Sequence, residues 1–85
     1  MVTFTHKISD PNGLHARSAA YMAQFAMERE CRIRVACRDC AADMRQLMGL
    51  MRLRAKCGDV LEFKVEGVSE EQTVKELKTL AGELL

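Results

Sequence analysis

Two rhythms of apolar and polar residues alternate along the chain. Val2, Phe4, His6 and Ile8 fall on one side of an extended segment, and Thr3, Thr5 and Lys7 on the other. That period of two predicts a half-buried strand over 2–8. His6 shares a side with apolar residues and reads as a strand-end or edge residue rather than a ligand. Cys31, Ile33, Val35 and Cys37 alternate with Arg32, Arg34 and Ala36 in the same way, and Leu61, Phe63 and Val65 alternate with Glu62, Lys64 and Glu66. Between these segments the period becomes helical. Over 16–27, Ala19, Met22, Ala23 and Ala26 recur at i, i+3, i+4 and i+7, and Tyr21 with Phe25 predicts a wider buried face. Arg38-Asp39 reads as a tight turn into a short strand over 40–43, although neither residue is glycine or asparagine. Residues 46–53 predict a short helix, apolar nearly all round at Leu47-Met48-Gly49-Leu50-Met51. Cys57-Gly58-Asp59 turns the chain into a last strand over 60–66. Ser69-Glu70-Glu71-Gln72 has the spacing of a capping box, serine at the cap and glutamine three residues on. It opens a final helix striped by Val74, Leu77, Ala81 and Leu84, with Leu80 beside them and Glu71–Lys75 as an i, i+4 ion pair.

The order strand, helix, strand, strand, helix, strand, helix predicts an α+β fold, one sheet with its helices on one face and its polar alternate positions in water. The 85 residues, 48% of them hydrophobic, support one core and one domain over 1–85. Tryptophan is absent and aromatics make up only 5%, so aliphatic residues, methionine and alanine must fill that core. A net charge of +1 argues against general nucleic-acid affinity. No apolar run is long enough to span a membrane, and Met1 to Thr5 lacks the character of a signal peptide, so the cytoplasm is the expected compartment. The charge is uneven. Arg45, Arg52, Arg54 and Lys56 lie in a stretch, 44–58, with no acidic residue, whereas Glu66, Glu70, Glu71, Glu76 and Glu83 crowd the C-terminal segment. The basic stretch suits an acidic partner protein, though chance clustering on a solvated surface would look the same.

Candidate chemistry lies at Gly13-Leu14-His15-Ala16-Arg17-Ser18. Asp10-Pro11-Asn12-Gly13 is a turn signal, and the helix follows at once, so His15 stands where serine, threonine or aspartate usually caps free amides. A helix N-terminus offers unpaired N–H groups and the positive end of a dipole. An imidazole there, with Arg17 two residues on, suits a phosphate carried on the histidine itself. The same spacing fits a surface histidine that happens to fall at a turn. Leu47, Met48 and Met51 predict an exposed docking patch, or else Leu47, Leu50 and Met51 turn inward and Met48 alone shows.

Gly13-Leu14-His15-Ala16-Arg17, Leu47-Met48-Gly49-Leu50-Met51 and Ala55-Lys56-Cys57-Gly58-Asp59, taken with the element order, resemble the HPr family, the histidine phosphocarriers of the bacterial sugar phosphotransferase system. The resemblance covers essentially the whole chain. It implies an open-faced β-sandwich, a four-stranded antiparallel sheet covered by three helices. It implies that His15 takes a phosphoryl group on Nδ1 from phosphorylated Enzyme I and hands it to a histidine of an enzyme IIA domain. Arg17, with Ala16 and Ser18, would hold the phosphate. Leu47, Met48, Met51, Arg52 and Lys56 would meet partners. The chain would then be a monomeric carrier without cofactor or metal rather than an enzyme with its own turnover. The alternative is an HPr-like regulatory module acting through the 47–51 surface on a non-transport partner. The chemistry agrees, since phosphoryl transfer asks mainly for positioning and charge stabilisation, and the positive helix end favours a neutral imidazole with a free lone pair.

Two positions depart from the family pattern. Ser18 replaces a usual proline, adding an amide donor and a hydroxyl near the phosphate. Gln46 stands where many Gram-positive members carry a regulatory serine, and it cannot accept a phosphate. Ala16 replaces a threonine seen in some members. Cys37 and Cys40 have the C-x2-C spacing of a zinc knuckle, but Cys31 and Cys57 form no second pair. Cys31 and Cys37 share a strand face as small buried hydrophobes would, so free thiols are expected, with a zinc site, a disulfide or a metal- or redox-responsive domain built on Cys37 and Cys40 as the alternatives.

Overall fold

A computed structural model describes all residues 1–85. The chain runs β1 (Val2–Lys7), α1 (Ala16–Met27), β2 (Arg32–Cys37), β3 (Cys40–Asp43), α2 (Leu47–Arg52), β4 (Val60–Glu66) and α3 (Glu70–Leu84). The strands form one antiparallel sheet in the order β1-β4-β2-β3. The expected alternation holds in β1, β2 and β4, while β3, at the sheet edge, buries only Ala42. Ile33, Val35, Cys37, Leu61, Phe63 and Val65 are buried, while Arg32, Arg34, Glu62, Lys64 and Glu66 are exposed. One face therefore joins a core of 22 buried residues and the other stays open to water. Phe4 lies opposite Phe63, and their rings stack at 4.9 Å. His6, on the edge strand β1, is half-buried, and its Nε2 lies buried without a hydrogen-bond partner.

Helix α1 buries Ser18, Ala19, Met22, Ala23 and Ala26, four small residues around one methionine, and packs against α2. The wider face expected from Tyr21 and Phe25 forms only at Phe25, which packs against the core. Tyr21 is 52% exposed, on the same side of the helix as Arg17 and Gln24, and Phe25 is half-buried beneath the Arg29 guanidinium, 3.9 Å from its ring centroid. Helix α2 buries only Leu50, Leu53 following just beyond it, so its apolar surplus faces outward.

The α3 cap differs from expectation. Ser69 adopts a left-handed φ of 59° and its hydroxyl makes no cap hydrogen bond, because capping needs an extended residue whose side chain reaches forward to the first-turn amides. Glu70 serves that end instead, its carboxylate accepting the Gly67 N–H at 2.9 Å and the Met1 amino group at 2.9 Å. Those donors favour the charged form and hold the Glu70 carboxyl below the usual glutamate range. No Glu71–Lys75 bridge forms; the ion pairs of α3 run from Glu70 to Met1 and from Glu76 to Arg29. Its stripe is as read, with Val74, Leu77 and Ala81 buried and Leu80 and Leu84 partly so.

The β2–β3 turn forms without glycine because Arg38 accepts a φ of 55°. Its guanidinium bonds the Asp59 carboxylate, the Leu53 carbonyl at 3.3 Å and the Arg54 carbonyl at 3.1 Å. This one side chain ties the hairpin to the connector between α2 and β4.

Candidate functional site

Geometry around His15 begins with Gly13. Asn12 N–H donates to the Asp10 carboxylate at 2.8 Å and Gly13 N–H to the Asp10 carbonyl at 2.9 Å, closing a tight turn. Gly13 takes a φ of +63°, and a Cβ there would stand 2.6 Å from the Ala55 carbonyl oxygen and 2.8 Å from the Lys56 Cα. Only glycine satisfies both the angle and the approach. Leu14 N–H then donates to the Ala55 carbonyl at 3.0 Å, and the Leu14 side chain is buried. These contacts set the residue before His15 against the 53–59 connector. Asp59 keeps that connector in shape, accepting the Lys56 N–H at 2.8 Å and the Arg38 guanidinium, and both donors hold its carboxyl below the usual range.

His15 is the N-cap of α1, extended at φ −119° and ψ 179°. Its carbonyl accepts the first intrahelical bond, from Ala19 N–H at 2.8 Å. The amides of Ala16, Arg17 and Ser18 precede that bond and have no helical acceptor of their own. Ser18, at the third helical position, folds its hydroxyl back, accepting the His15 N–H at 3.0 Å and donating to the His15 carbonyl at 3.1 Å. The arrangement is reciprocal, with the His15 ring turned to the Ser18 amide but not closing a cap hydrogen bond. Ser18 is 2% exposed, with its hydroxyl engaged by the His15 backbone. Its amide remains in the first turn.

His15, Arg17 and Ser18 line one open hollow of about 500 Å³, together with Asn12, Tyr21 and Glu83. His15 is half-exposed and Arg17 exposed. Arg17 takes part in none of the ion pairs, and its side chain makes no hydrogen bond within the chain. Ala16 is exposed beside His15 but does not line the hollow. Sequence reasoning missed Asn12, Tyr21 and Glu83 as neighbours. Asn12 sat in plain view in the turn signal, and Tyr21 lies one helical turn from Arg17; Glu83 arrives from α3 and carries no local signal.

The other expected residues lie apart from the hollow. Leu47, Met48 and Met51 are exposed on α2 at 39%, 61% and 38%, so the surface reading of this helix holds for these three and the inward one for Leu50 alone. Arg52 lines a groove between α2 and β3, and Lys56 is exposed on the connector against which Gly13 packs. Helix α2 packs against α1, which brings the apolar patch alongside the helix that His15 caps. Arg45, counted in the basic stretch, instead reaches the carbonyls of Arg29 at 3.3 Å and Cys31 at 3.5 Å.

The family model described as "PTS HPr component phosphorylation site" matches residues 2–83. This chain belongs to the HPr family. It is 33% identical over 84 residues to the phosphocarrier protein HPr of Lysinibacillus sphaericus, covering 99% of this chain and 96% of that protein. The crystal structure of an HPr from Thermoanaerobacter tengcongensis superposes with a TM-score of 0.89 at 33% identity, over 96% of this chain and 92% of that one. A multiphosphoryl transfer protein of Xanthomonas campestris contains a similar segment, 33% identical over 81 residues, which is 95% of this chain and 10% of that protein. The HPr assignment and the open-faced sheet expected from the sequence are therefore established, and the chain is a phosphocarrier of the phosphotransferase system.

Proposed function

We propose that His15 is the phosphoryl acceptor, charged by phosphorylated Enzyme I and discharged to a histidine of an enzyme IIA domain. The observation that carries this reading is a half-exposed imidazole at the N-cap of α1, sharing an open hollow with an arginine that has no partner of its own. The attacking atom is Nδ1 of the neutral ring. Its lone pair forms the new N–P bond as the P–N bond to the donor histidine breaks, and the proton on the other ring nitrogen stays in place. The free amides of the first turn and the Arg17 guanidinium then face the phosphate oxygens. None of these contacts encloses the group, which suits a carrier that must release it. Asn12 lies where it can add a polar contact, while Glu83 limits how tightly the negative phosphate is held. Leu47, Met48 and Met51 dock partners, with Arg52 and Lys56 steering acidic ones.

Enzyme I with phosphoenolpyruvate tests the reading. The protein should gain an acid-labile phosphate, and His15→Ala should abolish it. Loss of labelling in the wild type, or its persistence in His15→Ala, refutes it. A protein that accepts phosphate yet passes it to no enzyme IIA domain would act instead as a regulatory module through the α2 surface.

A further inference from the structure

Phosphoryl chemistry uses neither Cys37 nor Cys40. In the fold they stand directly opposite one another, paired across the two-residue turn Arg38-Asp39. Opposed residues of an antiparallel pair project to the same face, here the face on which Val35 and Ala42 are buried. The Cα atoms of such pairs lie about 4.5–5.5 Å apart, inside the range of roughly 4.4–6.8 Å that a disulfide bridges. Their exposure is split. Cys37 is 2% exposed, whereas Cys40 is open to solvent on the edge strand β3. We propose that Cys37 and Cys40 form a reversible redox site, closing to an intrachain disulfide with hydrogen peroxide and reopening with a monothiol.

The accessible sulfur reacts first. The Cys40 thiolate attacks one peroxide oxygen, the O–O bond breaks, and hydroxide leaves with the electron pair, giving a sulfenic acid. The Cys37 sulfur then attacks the Cys40 sulfur, the S–O bond breaks, and the oxygen departs as water with the proton from Cys37. Two thiols and one peroxide become one disulfide and two waters, with two electrons passing from sulfur to peroxide. Burial pushes the Cys37 thiol up, which suits the resolving rather than the first-attacking role.

Reversibility follows from the turn. Opposed Cβ atoms start about 4.5–5.5 Å apart and a disulfide brings them to roughly 3.5–4.5 Å, so the hairpin end must tighten. Arg38 resists, because it already holds a left-handed φ and is anchored to Asp59, Leu53 and Arg54. A strained disulfide is the more easily reduced.

The full chain treated with stoichiometric hydrogen peroxide tests this. Free thiols should fall from four to two. Trypsin cuts after Arg38, so the peptides on either side should stay joined only through this bond and separate on adding glutathione. In Cys40→Ser, which alters an exposed residue and spares the core, the same dose should consume no thiol. Peptides that come apart with Cys40 carried to sulfinic acid, covalent dimers through Cys57, equal thiol loss in Cys40→Ser, or a bond that resists glutathione would each overturn the proposal.

Discussion

Replacing Gly13 by alanine puts a methyl group into the one place where the His15 turn meets the rest of the molecule. The added Cβ would sit 2.6 Å from the Ala55 carbonyl oxygen and 2.8 Å from the Lys56 Cα, and neither obstacle is a side chain that can rotate away. A left-handed φ costs a non-glycine residue roughly 1–2 kcal/mol. Relieving the clash means parting the Leu14 amide from the Ala55 carbonyl, now 3.0 Å apart. Losing that hydrogen bond beside a buried leucine costs about 1–2 kcal/mol more. The expected loss is therefore about 2–4 kcal/mol, or a fall in melting temperature of about 10–25 °C for a chain of this size. Urea and thermal unfolding measure it. Gly82→Ala is the opposite control. That residue is exposed in α3 with nothing within 4 Å of a new Cβ, so alanine should stabilise by about 0.5–1 kcal/mol. Gly13→Ala should also slow phosphoryl acceptance under conditions where the variant is folded, because His15 moves with the turn. A Gly13→Ala protein within about 0.5 kcal/mol of the wild type, the range of an ordinary surface substitution, would refute the reasoning.

Ser18→Ala removes the hydroxyl that joins the amide and carbonyl of His15 and should cost about 1 kcal/mol in urea unfolding, with the helix start loosened. Asp59 titrates lower in the folded protein than in the unfolded chain, because the Lys56 amide and Arg38 guanidinium favour its charged form. Its stabilisation is therefore complete above the ordinary carboxylate range of about 4 and lost as the pH falls through its depressed folded value. Asp59→Asn should flatten the acid limb of a stability–pH profile, leaving the part due to Glu70, which is depressed in the same direction. An unchanged acid limb would remove Asp59 from the account. Met48→Glu should change stability by no more than about 0.5 kcal/mol, since the side chain is 61% exposed, yet slow transfer to an enzyme IIA domain; equal transfer kinetics would count against the α2 docking surface.

Patterning carried the reading furthest where one local rule dominates. The strand over 60–66 and the helix over 16–27 have the bounds the periodicity predicts, because burying one face of a strand or helix leaves a repeat in the sequence, and the strand over 40–43 has the bounds read from the Arg38-Asp39 turn. The cap at His15 was legible for the same reason, since a turn signal abuts a helical run. Ser69 and Tyr21 show where such rules fail. Ser69 has the composition of a cap but a left-handed backbone, set by the path from Gly67 into α3 rather than by its own side chain. Tyr21 is apolar enough for a core, but the core is already filled by the alanine stripe.

By itself, then, the sequence determined the element order, the buried face of β1, β2 and β4, and the placing of His15 at the start of a helix with Arg17 two residues on. Those depend on neighbours a few positions apart, which periodicity and capping report. Only the tertiary structure decided that Arg38 clasps the 53–59 connector, that Gly13 rests on Ala55 and Lys56, that Glu83 joins Arg17 in one hollow, and that of the facing Cys37 and Cys40 only one is covered. Most of these are meetings of residues far apart in the chain, and the last depends on where the sheet ends. They follow from how the sheet and helices close on a common core, which no local pattern records.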